Sequence, residues 1–289
     1  MNWVSIDKEK CSECGLCAIR CPRCFIFQEN SITAHADPDN CILCGHCIAI
    51  CPTNAINHSQ LNMEYFQEVD DNVLIGTDEF IRFLKRRRSH RHFKEKIIPQ
   101  EDLKTLVDLC RFVPTGSNRQ TIEIMVVQNK EKIRKLSDLT VDFFQKMVAE
   151  IEIKVDRLRI EGRKIPADLQ AALERLPFRK RLARARESGL DPVFYKAPLL
   201  MIFHSQIQPS TPKDDCVIAA HTVALTAMTM GLETCYIGLF EKAAHQYPPI
   251  QQELALPKNH KVFSTLIMGY PKLSFLRTVE RNPIKVRWV

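Results

Sequence analysis

Several features are missing from this chain, and each absence removes a class of function. None of its 289 residues falls in a stretch approaching the ~18 uninterrupted apolar residues of a membrane span; the longest apolar candidate is Ala197 to Phe203. The opening residues, Met1-Asn2-Trp3-Val4-Ser5-Ile6-Asp7, have neither a basic n-region nor an apolar h-region, so no secretory leader is expected. No helix-turn-helix signal is present. The basic stretch Arg179-Lys180-Arg181, with Arg184 and Arg186, lacks interleaved aromatics and reads as a solvated helix face or an anion-facing lid. Neither a membrane nor nucleic acid is therefore an expected partner. No Gly-x-Gly-x-x-Gly follows any predicted strand, although a nicotinamide can bind transiently without that motif.

What the chain does have is cysteine. Eight of its twelve fall into two runs, Cys11-x-x-Cys14-x-x-Cys17-x-x-x-Cys21-Pro22 and Cys41-x-x-Cys44-x-x-Cys47-x-x-x-Cys51-Pro52. Zinc usually takes Cys-x-x-Cys pairs separated by a longer loop. Three tightly spaced thiols plus a fourth before proline instead suit a [4Fe–4S] cubane. Asp7 and Asp37 each stand four residues before their first cysteine, so the segment is an internal duplication with a 30-residue offset. Thiols in cluster spacing without a leader point to a reducing cytoplasm rather than to disulfides. Cys24 lies outside the pattern and reads as a small buried residue; Cys110, Cys216 and Cys235 sit in apolar contexts and read as inert packing.

This first segment resembles bacterial two-cluster ferredoxins over about residues 1–60. The resemblance implies that the fourth cysteine of each run serves the other cluster. One cluster would then use Cys11, Cys14, Cys17 and Cys51, and the other Cys41, Cys44, Cys47 and Cys21.

The rest of the chain is long enough for a second, larger domain with an ordinary core, given 45% apolar residues overall. Charge is divided unevenly. Residues 1–60 hold four Lys or Arg against six Asp or Glu, so the excess positive charge of the +7 chain lies beyond them and suits an anionic cofactor or substrate. Residues 61–75 are polar and poorly periodic, as in a connector. A helix is predicted from Thr77 through Phe80, Phe83 and Leu84, and another over Gln100 to Arg111. Thr121–Gln128, Ala197–His204 and His260–Gly269 read as buried strands. Between Thr211 and Gly231 the best-marked helix has Thr211 as N-cap, Pro212 at N1 and a closing glycine; His221 within it reads as a satisfied core histidine. Residues 141–195 read as a charged helical region with the stripe Phe144, Met147, Val148, Ile151, Val155 and Leu158. Short strands among helices without βαβ repetition indicate an α+β class.

A second pattern then emerges. Arg86 to Phe93 is followed by Pro114-Thr115-Gly116-Ser117-Asn118-Arg119-Gln120, then Gly231 to Gly238, then Gly269-Tyr270-Pro271 and Arg281-Asn282-Pro283. In this order the segments resemble the FMN-dependent nitroreductase family over about residues 76–289. The resemblance implies a mixed sheet wrapped by helices and a homodimer with shared flavin sites. Arg87, Arg88, Ser89 and Arg281 would meet the FMN phosphate, and Arg91 the pyrimidine edge of the ring. Pro114, Thr115 and Asn118 would reach the flavin from the partner subunit, and Ile237-Gly238-Leu239 would lie along the ring. One departure concerns the substrate pocket: Gln120-Thr121-Ile122 stands where the family often has Gln-Pro-Trp. The 141–195 region, where such proteins diverge most, would build the substrate cover. His90 and His92 lack companions at ligand spacing, so no metal is expected there.

Together these readings predict an oxidoreductase in which two clusters pass single electrons to FMN for two-electron reduction of an organic acceptor, such as a nitroaromatic or an enoate. The donor would be a low-potential ferredoxin, a hydrogenase or an NAD(P)H-linked protein. No side chain is assigned as a catalytic acid. The rival reading is a non-catalytic electron carrier to a partner protein.

Overall fold

A computed structural model describes residues 2–70, 72–208 and 211–289. Met1, and Asp71 of the expected connector, lie outside the described residues. The chain divides into two compact units, Met1–Ile75 with Ser117–Arg119, and Gly76–Gly116 with Gln120–Val289.

The first unit is built twice. Strand β1 (Val4–Ile6), helix α1 (Leu16–Arg20) and strand β2 (Phe25–Gln28) are followed by β3 (Ser31–Ala34), α2 (His46–Ala49) and β4 (Ile56–His58). β1 pairs antiparallel with β4, and β2 with β3. Val4, Phe25, Ile32, Ile48 and Ile56 fill a small core together with Cys24, which is 1% exposed and so packs as expected. The expected connector, residues 61–75, contains a short 3-10 turn at Met63–Tyr65.

In the second unit, α3 (Thr77–Arg86) and α4 (Gln100–Leu109) lead through a 3-10 turn at Cys110–Phe112 to β5 (Glu123–Val127). Next come α5 (Lys130–Ile160), α6 (Ala167–Glu174), α7 (Leu176–Glu187), β6 (Leu199–Gln206) and α8 (Pro212–Thr229). The unit continues with β7 (Glu233–Tyr236), α9 (Gly238–Gln246), α10 (Pro248–Leu254) and β8 (His260–Gly269). The sheet runs β5-β6-β8-β7. The α+β organisation is present. Among the described residues all three pairings are antiparallel, so the mixed character expected of the sheet is not seen within one chain.

Alternation along β6 sets the layers. Leu199, Met201 and Phe203 face one core with α4 and α8, whereas Leu200 and Ile202 face the other with α5, α9 and α10. Because both faces are covered, the strand reads as a continuous apolar run.

The expected helical region beginning at 141 starts inside α5, which begins at Lys130 behind Asn129, whose side chain accepts from Lys132 N at 2.8 Å. The apolar stripe packs as a hairpin: Val148, Ile151 and Val155 close on Leu176, with Leu169 and Leu173 at its margin. Arg186 is engaged within its own unit. It donates to Asp142 Oδ1 at 2.6 Å and to Gln145 Oε1 at 2.7 Å, tying α7 to α5.

Candidate functional site

Each half of the first unit shapes a thiol loop in the same way. Asp7 Oδ1 accepts from Glu9 N and Lys10 N, and Asp37 Oδ1 from Asp39 N and Asn40 N. Each aspartate's carbonyl then accepts from the first cysteine of its run, Cys11 or Cys41, at 2.9 Å. Two residues in each loop turn left-handed, Glu13 and Gly15 in the first and Leu43 and Gly45 in the second. That repeated kink, with glycine at the second position, lets three thiols converge.

The thiols gather around two cavities. One is lined by Cys11, Cys14, Cys17 and Cys51 with Ile6, Ile32 and Ile56. The other is lined by Cys21, Cys41, Cys44 and Cys47 with Val4, Phe25 and Cys24. Each fourth cysteine thus stands with the other run. Cys51 Sγ accepts from Ala55 N at 3.3 Å, a donor of the kind that stabilises a thiolate. None of the twelve cysteines is in a disulfide. Four thiols about an apolar-walled cavity is a donor set that fits a cubane.

In the second unit the arginine run begins where α3 ends. Arg87 leaves the helix with φ −55° and ψ 128°, and the following residues run beside β7. His90 N donates to Thr234 O at 3.0 Å, and buried His90 Nε2 lies 3.4 Å from Glu233 Oε2. Phe275 meets the His90 ring edge-on at 4.9 Å, while Lys94 N bonds Tyr270 O and Lys272 N bonds His92 O. These contacts fix the run against β7 and the segment after β8.

The electrostatics of β7 register the nearby cations. Burial pushes the Glu233 carboxyl up, and Arg86 and Arg87 partly offset it. Burial likewise raises the Cys235 thiol against the pull of Arg91, Ser89 and Arg87. Tyr236 is pushed up to about 12 by burial, with Arg87 opposing. Arg91 also lies over the Tyr195 ring at 5.5 Å. Arg88 Nη1 donates to the carbonyls of Lys85 and Arg87, but its Nε is buried without a partner. An orphaned guanidinium N–H among further cations suits an anionic group such as a phosphate.

β7 runs directly into the next predicted segment. Ile237 is buried and donates its N–H to Thr265 O at 3.0 Å, and Gly238 opens α9. Beyond its chain neighbours and the backbone of its own helix, no atom lies within 4 Å of where a Gly238 Cβ would stand, which leaves open space beside this backbone. Leu239 is half-buried. A flat ring can approach such a backbone, and a side chain would fill the space.

The Pro114–Thr115 loop is braced from α8. Gly116 N donates to Asp215 Oδ1 at 3.1 Å, Thr211 Oγ1 donates to the same oxygen at 3.0 Å, and Thr115 Oγ1 accepts from Gln120 N. Thr211 therefore stands at the N-cap position without capping through its side chain. Ser117, Asn118 and Gln120 are all left-handed, and such backbone strain gathers at functional loops. Asn118 belongs with the first unit, where Nδ2 donates to Ile42 O and Leu43 O at 3.0 Å each. Arg281 lies exposed in residues 272–289, which form no helix or strand, and Nη1 donates to Glu280 O.

His221 is exposed and its Nδ1 lies 3.3 Å from Tyr236 Oη, so it is not the core histidine expected from its alanine-rich surroundings. Cys216 and Cys110, pushed up to about 12 and about 11 by burial, fit inert packing. Asp215, Glu233 and Asp191 were not legible as site residues. Asp191 accepts from Val193 N, Phe194 N and Lys196 N and from Ser137 Oγ, and so anchors the segment carrying Tyr195. No motif spacing marks such acids: Asp215 and Glu233 meet Gly116 and His90 from far away in sequence, and Asp191 ties its own loop to Ser137. Among the described residues, no helix is long and apolar enough to cross a membrane.

Comparison with known proteins agrees with this division. A 4Fe-4S binding domain matches residues 4–23 and 34–57, and the nitroreductase family matches residues 84–270. A ferredoxin of Methanothermococcus thermolithotrophicus is 39% identical over 56 residues, 18% of this chain and 92% of that one. The 4-nitrobenzoate reductase of Pseudomonas putida is 27% identical over 165 residues, covering 55% of this chain and 72% of that protein. A nitroreductase with bound FMN from Bacteroides fragilis shares the fold with a TM-score of 0.55 at 23% identity, covering 73% of this chain and all of that one. With the family match spanning the sheet, the arginine run after α3 and the Gly238 segment, this chain belongs to the nitroreductase family and is an oxidoreductase that also carries a 4Fe–4S binding domain.

Proposed function

We propose that this protein is an iron–sulfur flavoenzyme in which two [4Fe–4S] clusters supply electrons to FMN for two-electron reduction of a small organic acceptor, a nitroaromatic or an enoate. The observation that carries this reading is the coexistence, in one chain, of two four-thiol cavities and a cationic run with a buried, unpartnered Arg88 Nε. Cys11, Cys14, Cys17 and Cys51 would hold one cluster, and Cys21, Cys41, Cys44 and Cys47 the other. Residues 1–60 form the cluster domain, 61–75 the connector and 76–289 the flavin domain in this scheme.

When bound, FMN supplies the redox chemistry at its own ring, so no side chain of this protein has to act as a catalytic acid. Arg87, Arg88 and Ser89 bind the phosphate, with Arg281 as a further contact. Arg91 places positive charge at the pyrimidine edge. Ile237, Gly238 and Leu239 present the backbone against which the ring lies. Pro114 and Thr115, braced by Asp215, and Asn118 reach the flavin of a second copy.

Homodimerisation is supported by apolar surface that one chain leaves uncovered. No residue of α3 is buried, and Phe80, Ile81 and Leu84 stand exposed. In the tail Leu276 and Trp288 are about nine-tenths exposed, at 88% and 90%. Surfaces of this kind are covered in obligate dimers. A low-potential donor, whether ferredoxin, hydrogenase or NAD(P)H-linked, would act in a reducing compartment such as the cytoplasm.

The test is anaerobic purification, with quantification of iron, sulfide and flavin, followed by stepwise reduction under EPR and visible spectroscopy. About eight irons and one FMN per chain are expected, with cluster electrons passing on to the flavin. Iron without flavin would overturn the flavoenzyme reading, and about four irons would overturn the second cluster. Turnover of 4-nitrobenzoate by the reduced protein separates an enzyme from an electron carrier.

A further inference from the structure

Three side chains able to ligate a transition metal, none of them assigned to the clusters or to the flavin, meet at one end of the sheet. Glu123 on β5 stands directly opposite His204 on β6. The β6–β8 register shifts between Phe203 and His204, which places His204 across from Val262. His260, two residues before Val262, therefore shares its face and lies diagonal to His204. The shift brings the two imidazoles together: their Nδ1 atoms are 3.0 Å apart. His260 Nε2 is 3.8 Å from Glu123 Oε1, and one donor atom from each of the three residues lies within 4.8 Å of the others.

The two imidazoles are sheltered and the carboxylate is not. His204 is 5% exposed and the His260 side chain 3%, whereas the Glu123 side chain is 54% exposed. Two neutral rings can share one proton between facing nitrogens. They can equally direct two lone pairs at a cation, which relieves the same crowding without burying a charged imidazole. Tetrahedral zinc with Zn–N of about 2.0–2.1 Å separates two ligand nitrogens by roughly 3.3 Å, so the pair needs to open by only a few tenths of an ångström. A hard cation such as magnesium or calcium would find one carboxylate and two poor ligands.

We propose that Glu123, His204 and His260 form a binding site for an imidazole-seeking divalent transition ion, with zinc as its probe. The ion clasps β5, β6 and β8 at one end of the sheet. Its fourth position opens to water on the Glu123 side, as in three-ligand zinc sites. The site contains no thiol, which separates it chemically from the eight cluster cysteines.

The experiment uses the anaerobic holoprotein, incubated with one equivalent of Zn²⁺, desalted, and measured by elemental analysis and zinc K-edge X-ray absorption. About one zinc per chain is expected, with nitrogen and oxygen neighbours at about 2.0–2.1 Å and no sulfur shell at about 2.3 Å. His260→Gln and, as a surface variant that leaves the buried rings in place, Glu123→Gln should each weaken retention by about tenfold or more. A sulfur shell, loss of zinc on desalting, or retention unchanged in both variants would overturn the site.

Discussion

Asp215 holds Gly116 from 99 positions away in sequence: its Oδ1 accepts the Gly116 N–H at 3.1 Å while Thr211 Oγ1 donates to the same oxygen. Asp215 is buried, and the loop it braces carries Pro114 and Thr115. Asp215→Ala removes the acceptor from both donors and should cost about 1–3 kcal/mol in urea unfolding. Asp215→Asn keeps an oxygen at the position and should cost less. Flavin content should fall in the alanine variant by more than the stability loss accounts for, since the loop loses its fixed position.

Gly238 offers a cleaner separation of cofactor binding from folding. Its φ is not left-handed, and a Cβ there would meet no atom within 4 Å beyond its chain neighbours and the backbone of its own helix. Alanine at the head of α9 is therefore tolerated by the chain and favoured by helix propensity, by up to about 1 kcal/mol. Gly238→Ala should leave circular dichroism and apoprotein melting unchanged or slightly improved while the flavin-to-protein ratio drops. Full flavin occupancy in this variant would show that the ring does not lie against this backbone.

Burial pushes the His90 imidazole below its ordinary value of 6.5. In the window between the folded value and 6.5 the unfolded chain binds more protons. His90 thus contributes stability that is complete above 6.5 and lost as pH falls through the folded value. Glu233, raised above 4.5 by burial, acts in the opposite sense: its contribution is complete below 4.5 and lost as pH rises through its folded value. Melting should therefore be followed in a Glu233→Gln background. Acidifying from about pH 7.5 to about pH 5.5 should lower the midpoint, and adding His90→Gln should flatten that slope.

These features differ in how well the sequence announced them. The eight thiols were legible because cluster chemistry demands fixed spacing, and α8 was legible from Pro212 at its start and Gly231 just past its end, with φ 73°. β6 and β8 were legible because burial on both faces leaves long apolar runs. β7 carries no strand signature of its own: Glu233-Thr234-Cys235-Tyr236 is short, partly polar and at the sheet edge, so pairing with β8 decides its state, not local preference. The start of α5 escaped because its first turns, Lys130 to Asp138, are mostly charged and the apolar stripe asserts itself only farther on. His221 departs from the core position expected of it because the alanines of α8 describe one face of the helix, and His221 stands on another.

The basic residues of α7 offer the sharpest contrast between a sequence reading and a structural one. As a run they suggest a surface for anions; in the fold Arg186 spans Asp142 at 2.6 Å and Gln145 at 2.7 Å on α5. Its side chain is 28% exposed and that of Asp142 40%, so water screens the pair and the gain is modest. A double-mutant cycle of Arg186→Ala and Asp142→Ala should give a coupling of roughly 0.5–1 kcal/mol at low salt, shrinking as ionic strength rises. Because this contact pins α7 against α5, Arg186→Ala should loosen the hairpin, seen as faster amide exchange along α7. An arginine serving an anionic substrate would behave differently: KM for acidic acceptors would rise, and the cycle with Asp142 would show no coupling.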